Sequence, residues 1–139
     1  MSQINNKIFK TYDIRGVYPS ELDEKTAFVI GQTCAKYFAS GTFVVAYDAR
    51  LSSKKLFKSF LNGFQKTTTQ TKKKFKIEIV GLSTTPMYYF LVNYFKAVGG
   101  AMVTASHNPK EYGGFKIVGK KARMIGGKEI ERIIEGVKI

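Results

Sequence analysis

What most restricts the fold of this chain is the alternation of short apolar segments with longer segments of helical periodicity. Residues 8–14 read as an extended stretch that closes at Arg15-Gly16. Beyond Asp23, the residues Ala27, Ile30, Gly31, Cys34, Tyr37 and Phe38 recur at steps of three and four, which places them on one helix face. Asp23 supplies an N-cap and Ser40-Gly41 a stop. Residues 43–47, bounded by Gly41 and Asp48, are apolar and β-branched, as in a buried strand. Ser52 or Ser53 then caps a second helix with Leu56, Phe57, Phe60, Leu61 and Phe64 as its stripe.

The pattern continues to the end of the chain. Residues 75–80 predict a strand with Phe75, Ile77 and Ile79 on one face. Thr85 before Pro86 predicts an N-cap and a first-turn proline, opening a helix over residues 87–96 that Gly99-Gly100 ends. Residues 101–105 predict another strand, and residues 115–118 and 122–125 a hairpin around Gly119-Lys120-Lys121. A last helix over residues 128–137 carries Ile130, Ile133, Ile134 and Val137. Residues 65–76, rich in Thr and Lys, read as a solvated loop. Strand–helix alternation of this kind points to an α/β layer fold with at least part of the sheet parallel.

The 139 residues fit one domain, and 44% hydrophobic content argues against disorder. Cys34 is the single cysteine, so no internal disulfide forms and a reducing compartment is the natural reading. No apolar run reaches the length of a signal peptide or a membrane span, which predicts a soluble, cytoplasmic protein. The charge is strongly basic, 23 Lys and Arg against 10 Asp and Glu, a net +13. Such an excess attracts polyanions and phosphorylated small molecules, and equally suits a lysine-rich solvated surface.

Five segments carry candidate chemistry. Thr104-Ala105-Ser106-His107-Asn108-Pro109 follows a short buried strand, and the carboxyl ends of strands are where α/β sheets bind ligands. Ser106 can act there as a nucleophile or phosphoryl carrier beside His107, the single histidine. Equally, Ser106 and Asn108 can close a turn before Pro109. In Tyr112-Gly113-Gly114-Phe115-Lys116 the glycines allow a tight turn or a close backbone approach, and Lys116 can point a cation at the serine loop or stand as a solvated strand lysine. In Tyr12-Asp13-Ile14-Arg15-Gly16 the planar guanidinium of Arg15 suits bidentate phosphate binding, or a surface pair with Asp13. Asp48 and Arg50 repeat that theme after another strand. Thr84-Thr85-Pro86 opens a helix whose N-terminus favours anions, although a structural cap is the role to expect there. Arg15, His107 and Lys116 together can gather positive charge around one serine, which a phosphoserine would need.

These motifs carry a resemblance. Residues 9–16, Phe-Lys-Thr-Tyr-Asp-Ile-Arg-Gly, resemble the opening motif of the α-D-phosphohexomutases of the phosphomannomutase/phosphoglucomutase type. Residues 104–109 are similar to that family's phosphoserine loop, Gly114-Phe115-Lys116 to the strand after it, and Thr84-Thr85-Pro86 to a further signature. The resemblance implies a mixed β-sheet sandwiched between α-helices, the first domain of the family's fold. It implies that Ser106 carries the phosphoryl group, and that its phosphate is one ligand of an active-site Mg²⁺. Tyr12 and Arg15 then line the site, while His107, Asn108 and Lys116 assist at the phosphoserine, Lys116 as a candidate for proton transfer. The implied reaction moves phosphate reversibly between positions 1 and 6 of a hexose, with a hexose 1,6-bisphosphate as intermediate and activator.

The chain also departs from that family. No Asp-x-Asp-x-Asp metal loop occurs in the sequence, and the family's other three domains are missing, so the chain reads as a first domain that is inactive alone. Residues 66–76 make a longer connection than the family's. Two other identities compete. Phosphoglucosamine mutase is the nearest within the family, although the forms of the Arg15 and Lys116 motifs favour the phosphomannomutase branch. A nucleic-acid-binding module is the other, built on Lys72, Lys73, Lys74 and Lys76 around Phe75. It is disfavoured because no aromatic stacking platform is visible.

Overall fold

The computed structural model describes residues 4–136. Its strands are β1 (Ile14–Val17), β2 (Gly41–Tyr47), β3 (Phe75–Leu82), β4 (Gly99–Val103), β5 (Tyr112–Gly119) and β6 (Met124–Ile125). Its α-helices are α1 (Glu24–Tyr37), α2 (Ser53–Gln70), α3 (Thr85–Tyr94) and α4 (Gly127–Ile134). The strands form one mixed six-stranded sheet in the order β1-β5-β4-β2-β3, with β6 continuing the β1 edge of β5. β2 pairs in parallel with β3 and β4, while β5 runs antiparallel to β1, β4 and β6.

Strand alternation divides the core into two layers. Phe43 and Val45 of β2 and Phe115 and Ile117 of β5 face a large cluster beneath α1, α2 and α4. Val44, Ala46, Met102 and Val118 face a smaller cluster completed by Tyr88 and Val92 of α3. Successive strand side chains point to opposite faces, so a strand reads as continuously apolar only when both faces are covered. Phe43 anchors the larger layer, with the rings of Phe64 and Phe38 at 4.7 and 5.2 Å.

α1 and α2 touch backbone to backbone. A Cβ on Gly31 would stand 2.1 Å from the Phe60 carbonyl oxygen, and one on Gly63 would stand 2.0 Å from that of Phe28. Only glycine at both positions allows this approach. Cys34 lies fully buried in α1, where desolvation pushes its thiol pKa well up.

Several sequence expectations need correction. Residues 65–76 are not a loop: α2 runs on to Gln70, leaving residues 71–74 as the connection. Thr67 is buried and extends the apolar stripe, while the hydroxyls of Thr68 and Thr69 donate to carbonyls one turn back. Lys73, in the connection, donates from Nζ to the carbonyl oxygens of Ala35, Lys36 and Phe38, closing the C-terminus of α1. Burial lowers its pKa.

The first strand is Ile14–Val17, not residues 8–14: it passes through Arg15-Gly16, and the chain ahead of it forms a short 3-10 turn at Asn6–Ile8. The cap of α3 is Thr84, whose Oγ1 accepts from Met87 N at 3.3 Å, with Thr85 already helical. In β3, an edge strand, Ile79 is exposed although it pairs in register with Val45, and Val80 packs against the smaller cluster. Residues 120–122 form a 3-10 turn, so the return strand is only Met124–Ile125. The last helix spans Gly127–Ile134, and Val137 lies outside the described residues. Among the described residues, no helix is long and apolar enough to cross a membrane.

Candidate active site

An open cleft of about 780 Å³ lies on the α3 side of the sheet, at the carboxyl ends of β2, β3 and β4. Parallel strands end there with exposed loops, and the N-terminus of α3 borders the space. Tyr12, Asp13, Arg15, Asp48, Thr84, Ser106, His107 and Lys116 all contribute to its walls. Residues from separate sequence segments thus meet in one place. Asn108 is in the same loop as Ser106 but turns inward, its Nδ2 donating to Ala105 O at 2.8 Å.

Ser106 sits at the exposed tip of the loop after β4. Its φ is +55°, in the left-handed region that residues with a side chain rarely occupy. Such strain survives only where surrounding contacts over-determine the backbone, and it clusters at functional sites. Ser106 N donates to Thr104 Oγ1 at 3.0 Å, and Asn108 N to Ala105 O at 3.0 Å. The turn expected from these residue types does exist, and it presents the serine rather than hiding it. Among the described residues, no side-chain hydrogen bond engages the Ser106 hydroxyl or the His107 imidazole.

The basic wall of the cleft is organised by Asp13. This carboxylate is almost fully buried; its Oδ1 accepts from Arg15 Nε at 2.8 Å and its Oδ2 lies 3.6 Å from Lys116 Nζ. The surface pair considered for Asp13 and Arg15 is therefore a three-membered cluster with a buried anion at its centre. β1 brings Arg15 opposite Gly114 on β5, and Ile14 opposite Phe115. A Cβ on Gly114 would stand 2.1 Å from the Ile14 carbonyl oxygen, so Gly114 serves close strand approach, while one on Gly113 would stand 2.8 Å from Leu56 Cδ1, so Gly113 makes room for that side chain of α2; neither glycine serves a turn. Lys116 alternates with Phe115 and Ile117 and so emerges on the α3 side, where Tyr88 Oη donates to its carbonyl at 3.0 Å.

Of the two readings open for Arg50, phosphate ligand or partner of Asp48, the structure shows the pair. Arg50 Nη1 donates to Pro109 O at 2.6 Å and Tyr112 O at 3.2 Å. Its Nη2 donates to Ser106 O at 2.9 Å and Asn108 O at 2.7 Å. Asp48 Oδ2 lies 3.3 Å from Arg50 Nε, and its Oδ1 accepts from Ser53 Oγ at 2.5 Å. The guanidinium is committed to the loop backbone and its carboxylate partner.

The donor set also bears on a metal. Among the described residues, no group of three or more His, Cys, Asp or Glu side chains could hold a metal ion. Both carboxylates in the cleft are already held, Asp13 by Arg15 and Lys116 and Asp48 by Ser53 and Arg50. These residues do not form a Mg²⁺ site by themselves. A phosphate on Ser106 would add one oxygen ligand, and the remaining ligands would have to come from elsewhere.

Comparison with known proteins matches the chain to a family. The model for phosphoglucomutase/phosphomannomutase, alpha/beta/alpha domain I, matches residues 6–138. A protein of Xanthomonas campestris pv. campestris described as phosphohexose mutases is 40% identical over 117 residues, covering 84% of this chain and 25% of that protein. A phosphomannomutase of Klebsiella pneumoniae is 37% identical over 131 residues, 91% of this chain and 80% of its own. A crystal structure of a phosphoglucomutase/phosphomannomutase family protein from Burkholderia thailandensis superposes with a TM-score of 0.77 at 30% identity, over 96% of this chain and 31% of its own. The chain spans about a quarter of the length of the Xanthomonas relative. It belongs to the phosphoglucomutase/phosphomannomutase family, and the part of that family it matches is the first α/β/α domain.

Proposed function

We propose that this chain is the phosphoserine-bearing domain of a phosphohexomutase that interconverts the 1- and 6-phosphates of mannose or glucose. The observation that carries the reading is the exposed, left-handed Ser106 at the mouth of a cleft whose wall holds Arg15 and Lys116. Phosphoryl transfer depends mainly on positioning and on stabilising charge, so fixed cations suit it better than a strong base does.

In the proposed cycle, the P–O bond to Ser106 Oγ breaks as a new P–O bond forms to the free hydroxyl of a hexose monophosphate. The sugar hydroxyl gives up its proton, and Ser106 Oγ takes one up to become a hydroxyl again. Lys116 serves proton transfer at Oγ. The hexose 1,6-bisphosphate then turns round, and the phosphate from its other end passes back to Ser106, releasing the isomeric monophosphate. Arg15 and Tyr12 bind the sugar phosphate, and His107 and Asn108 hold the serine loop and its phosphate. A phosphate on Ser106 would offer one oxygen ligand to a Mg²⁺, and such an ion would neutralise part of the transferring charge. Free hexose 1,6-bisphosphate acts as activator by recharging Ser106. The other domains of the enzyme supply hexose selection, and the setting is cytoplasmic, consistent with a lone buried thiol.

The nucleic-acid reading loses its support. Lys73 is spent on the end of α1, and Phe75 packs against the larger core rather than offering a stacking face. Phosphoglucosamine mutase is distinguished by assay. The complete gene product, given Mg²⁺ and catalytic hexose 1,6-bisphosphate, is expected to convert mannose or glucose 1-phosphate to the 6-phosphate, whereas the 139-residue chain alone does not. Turnover of glucosamine phosphate in preference to both sugars would overturn the substrate assignment, and no turnover of any hexose phosphate would overturn the function.

A further inference from the structure

The loop that presents Ser106 has an unusual means of support. Its own backbone bonds, Asn108 N to Ala105 O and Tyr112 N to Pro109 O, close two small turns. They leave the carbonyl oxygens of Ser106, Asn108, Pro109 and Tyr112 converging on one point, and the Arg50 guanidinium fills it with four N–H···O bonds between 2.6 and 3.2 Å. A guanidinium presents five N–H donors in a rigid plane. Four of them go to the loop and Nε faces Asp48, so no donor is left over for a substrate phosphate.

The connections are specific. Asp48 follows β2, is held at Oδ1 by Ser53 of α2, and accepts from Arg50 N at 3.1 Å. Arg50 therefore ties the serine loop to β2 and α2, the rigid centre of the domain. Through Tyr112, the first residue of β5, it also fixes the loop relative to the strand that carries Lys116. Its bond to Ser106 O acts on the very residue whose φ is +55°. That conformation costs a non-glycine residue free energy, so something must hold it.

We propose that Arg50 is a positioning residue: it holds Ser106 in its left-handed conformation at the cleft that Lys116 also lines, while touching neither substrate nor phosphate. This rests on the reading of Ser106 as phosphoryl carrier. Lysine cannot replace it, because an ammonium has only three donors and lacks the planar fork that binds four carbonyl oxygens and Asp48 at once.

The test uses the complete gene product carrying Arg50→Lys or Arg50→Ala, with Ser106 labelling by hexose 1,6-bisphosphate as the reference. A displacement of the reacting oxygen by about 1 Å can cost on the order of 100-fold in rate. Arg50→Lys should therefore lower kcat by about 100-fold while KM for the hexose phosphate stays within about 3-fold. Methylguanidinium added to Arg50→Ala should restore part of kcat. Unchanged kcat in Arg50→Lys overturns the proposal, as does a raised KM at constant kcat, which would make Arg50 a substrate ligand. Loss of the native circular dichroism signal in Arg50→Lys also overturns it, because the residue would then serve the fold as a whole. Failure of the parent protein to label at Ser106 would instead sink the function on which the proposal stands.

Discussion

Replacing Asp13 by Asn changes one charge at nearly constant volume and tests the cluster that organises the basic wall. In the parent, the carboxylate is only 4% exposed, with Arg15 Nε at 2.8 Å and Lys116 Nζ at 3.6 Å. A hydrogen bond to a charged group contributes about 1.5–3 kcal/mol. The longer Lys116 contact adds less, and both cations retain some solvent, with side chains 34% and 22% exposed. Desolvation of the carboxylate, which the amide escapes, offsets part of the gain. The net loss should be about 1–2 kcal/mol. For a 139-residue domain that is a fall in Tm of roughly 3–7 °C.

The amide of Asp13→Asn also turns a donor toward one of the two cations, so Arg15 and Lys116 lose their fixed spacing and turnover of the complete gene product should fall with Tm. Thermal melting of Asp13→Asn, Arg15→Met and the double variant forms a cycle in which the interaction energy should be about 1 kcal/mol. A Tm within about 1 °C of the parent, or an interaction energy near zero, would show that the cluster holds nothing in place.

Other outcomes follow from the same geometry. Arg15→Ala and Lys116→Ala should each lower kcat of the complete gene product by about 100-fold with the fold intact, since each removes a charge donor from a phosphoryl-transfer site; near-normal turnover in both would make them ordinary surface residues. Gly63→Ala should destabilise the chain by about 1–3 kcal/mol, because the new methyl meets the Phe28 carbonyl at 2.0 Å and must push α1 and α2 apart; an unchanged denaturant midpoint would contradict that contact. Lys73→Met should cost about 1 kcal/mol and raise amide exchange in the last turn of α1, whose carbonyls it leaves open; unaltered exchange there would assign the capping elsewhere.

The strand–helix order was legible because each element carries its own periodicity. Both faces of β2 are covered, so residues 43–47 show as an unbroken apolar run, and the Cys34 face of α1 shows as steps of three and four. Elements whose stability is tertiary were misread. The last turns of α2 carry Thr67, Thr68 and Thr69 and look like loop composition, yet the burial of Thr67 keeps them helical. The site residues were nameable because their types are chemically distinctive and fall at strand ends. Their arrangement was less accessible. Asp13 and Arg15 stand two apart, a spacing that shares a face in extended chain, but the approach of Lys116 depends on the β1–β5 register. For Arg50 the sequence left phosphate binding and pairing with Asp48 both open, because only its charge is evident there, whereas the four carbonyls that consume it converge only after residues 104–112 have folded.

The most direct test of the account is where a phosphoryl group comes to rest. The complete gene product is incubated with a hexose 1,6-bisphosphate, digested, and the modified peptide sequenced by mass spectrometry. One phosphoryl group is expected within residues 102–110, on Ser106, and Ser106→Ala should abolish both that label and most turnover. Ser52 and Ser53 are buried at the start of α2, and Ser83, in the cleft wall, donates its hydroxyl to Thr84 O at 3.1 Å. A phosphate found on Ser83, or normal turnover by Ser106→Ala, would contradict the assignment of the active site.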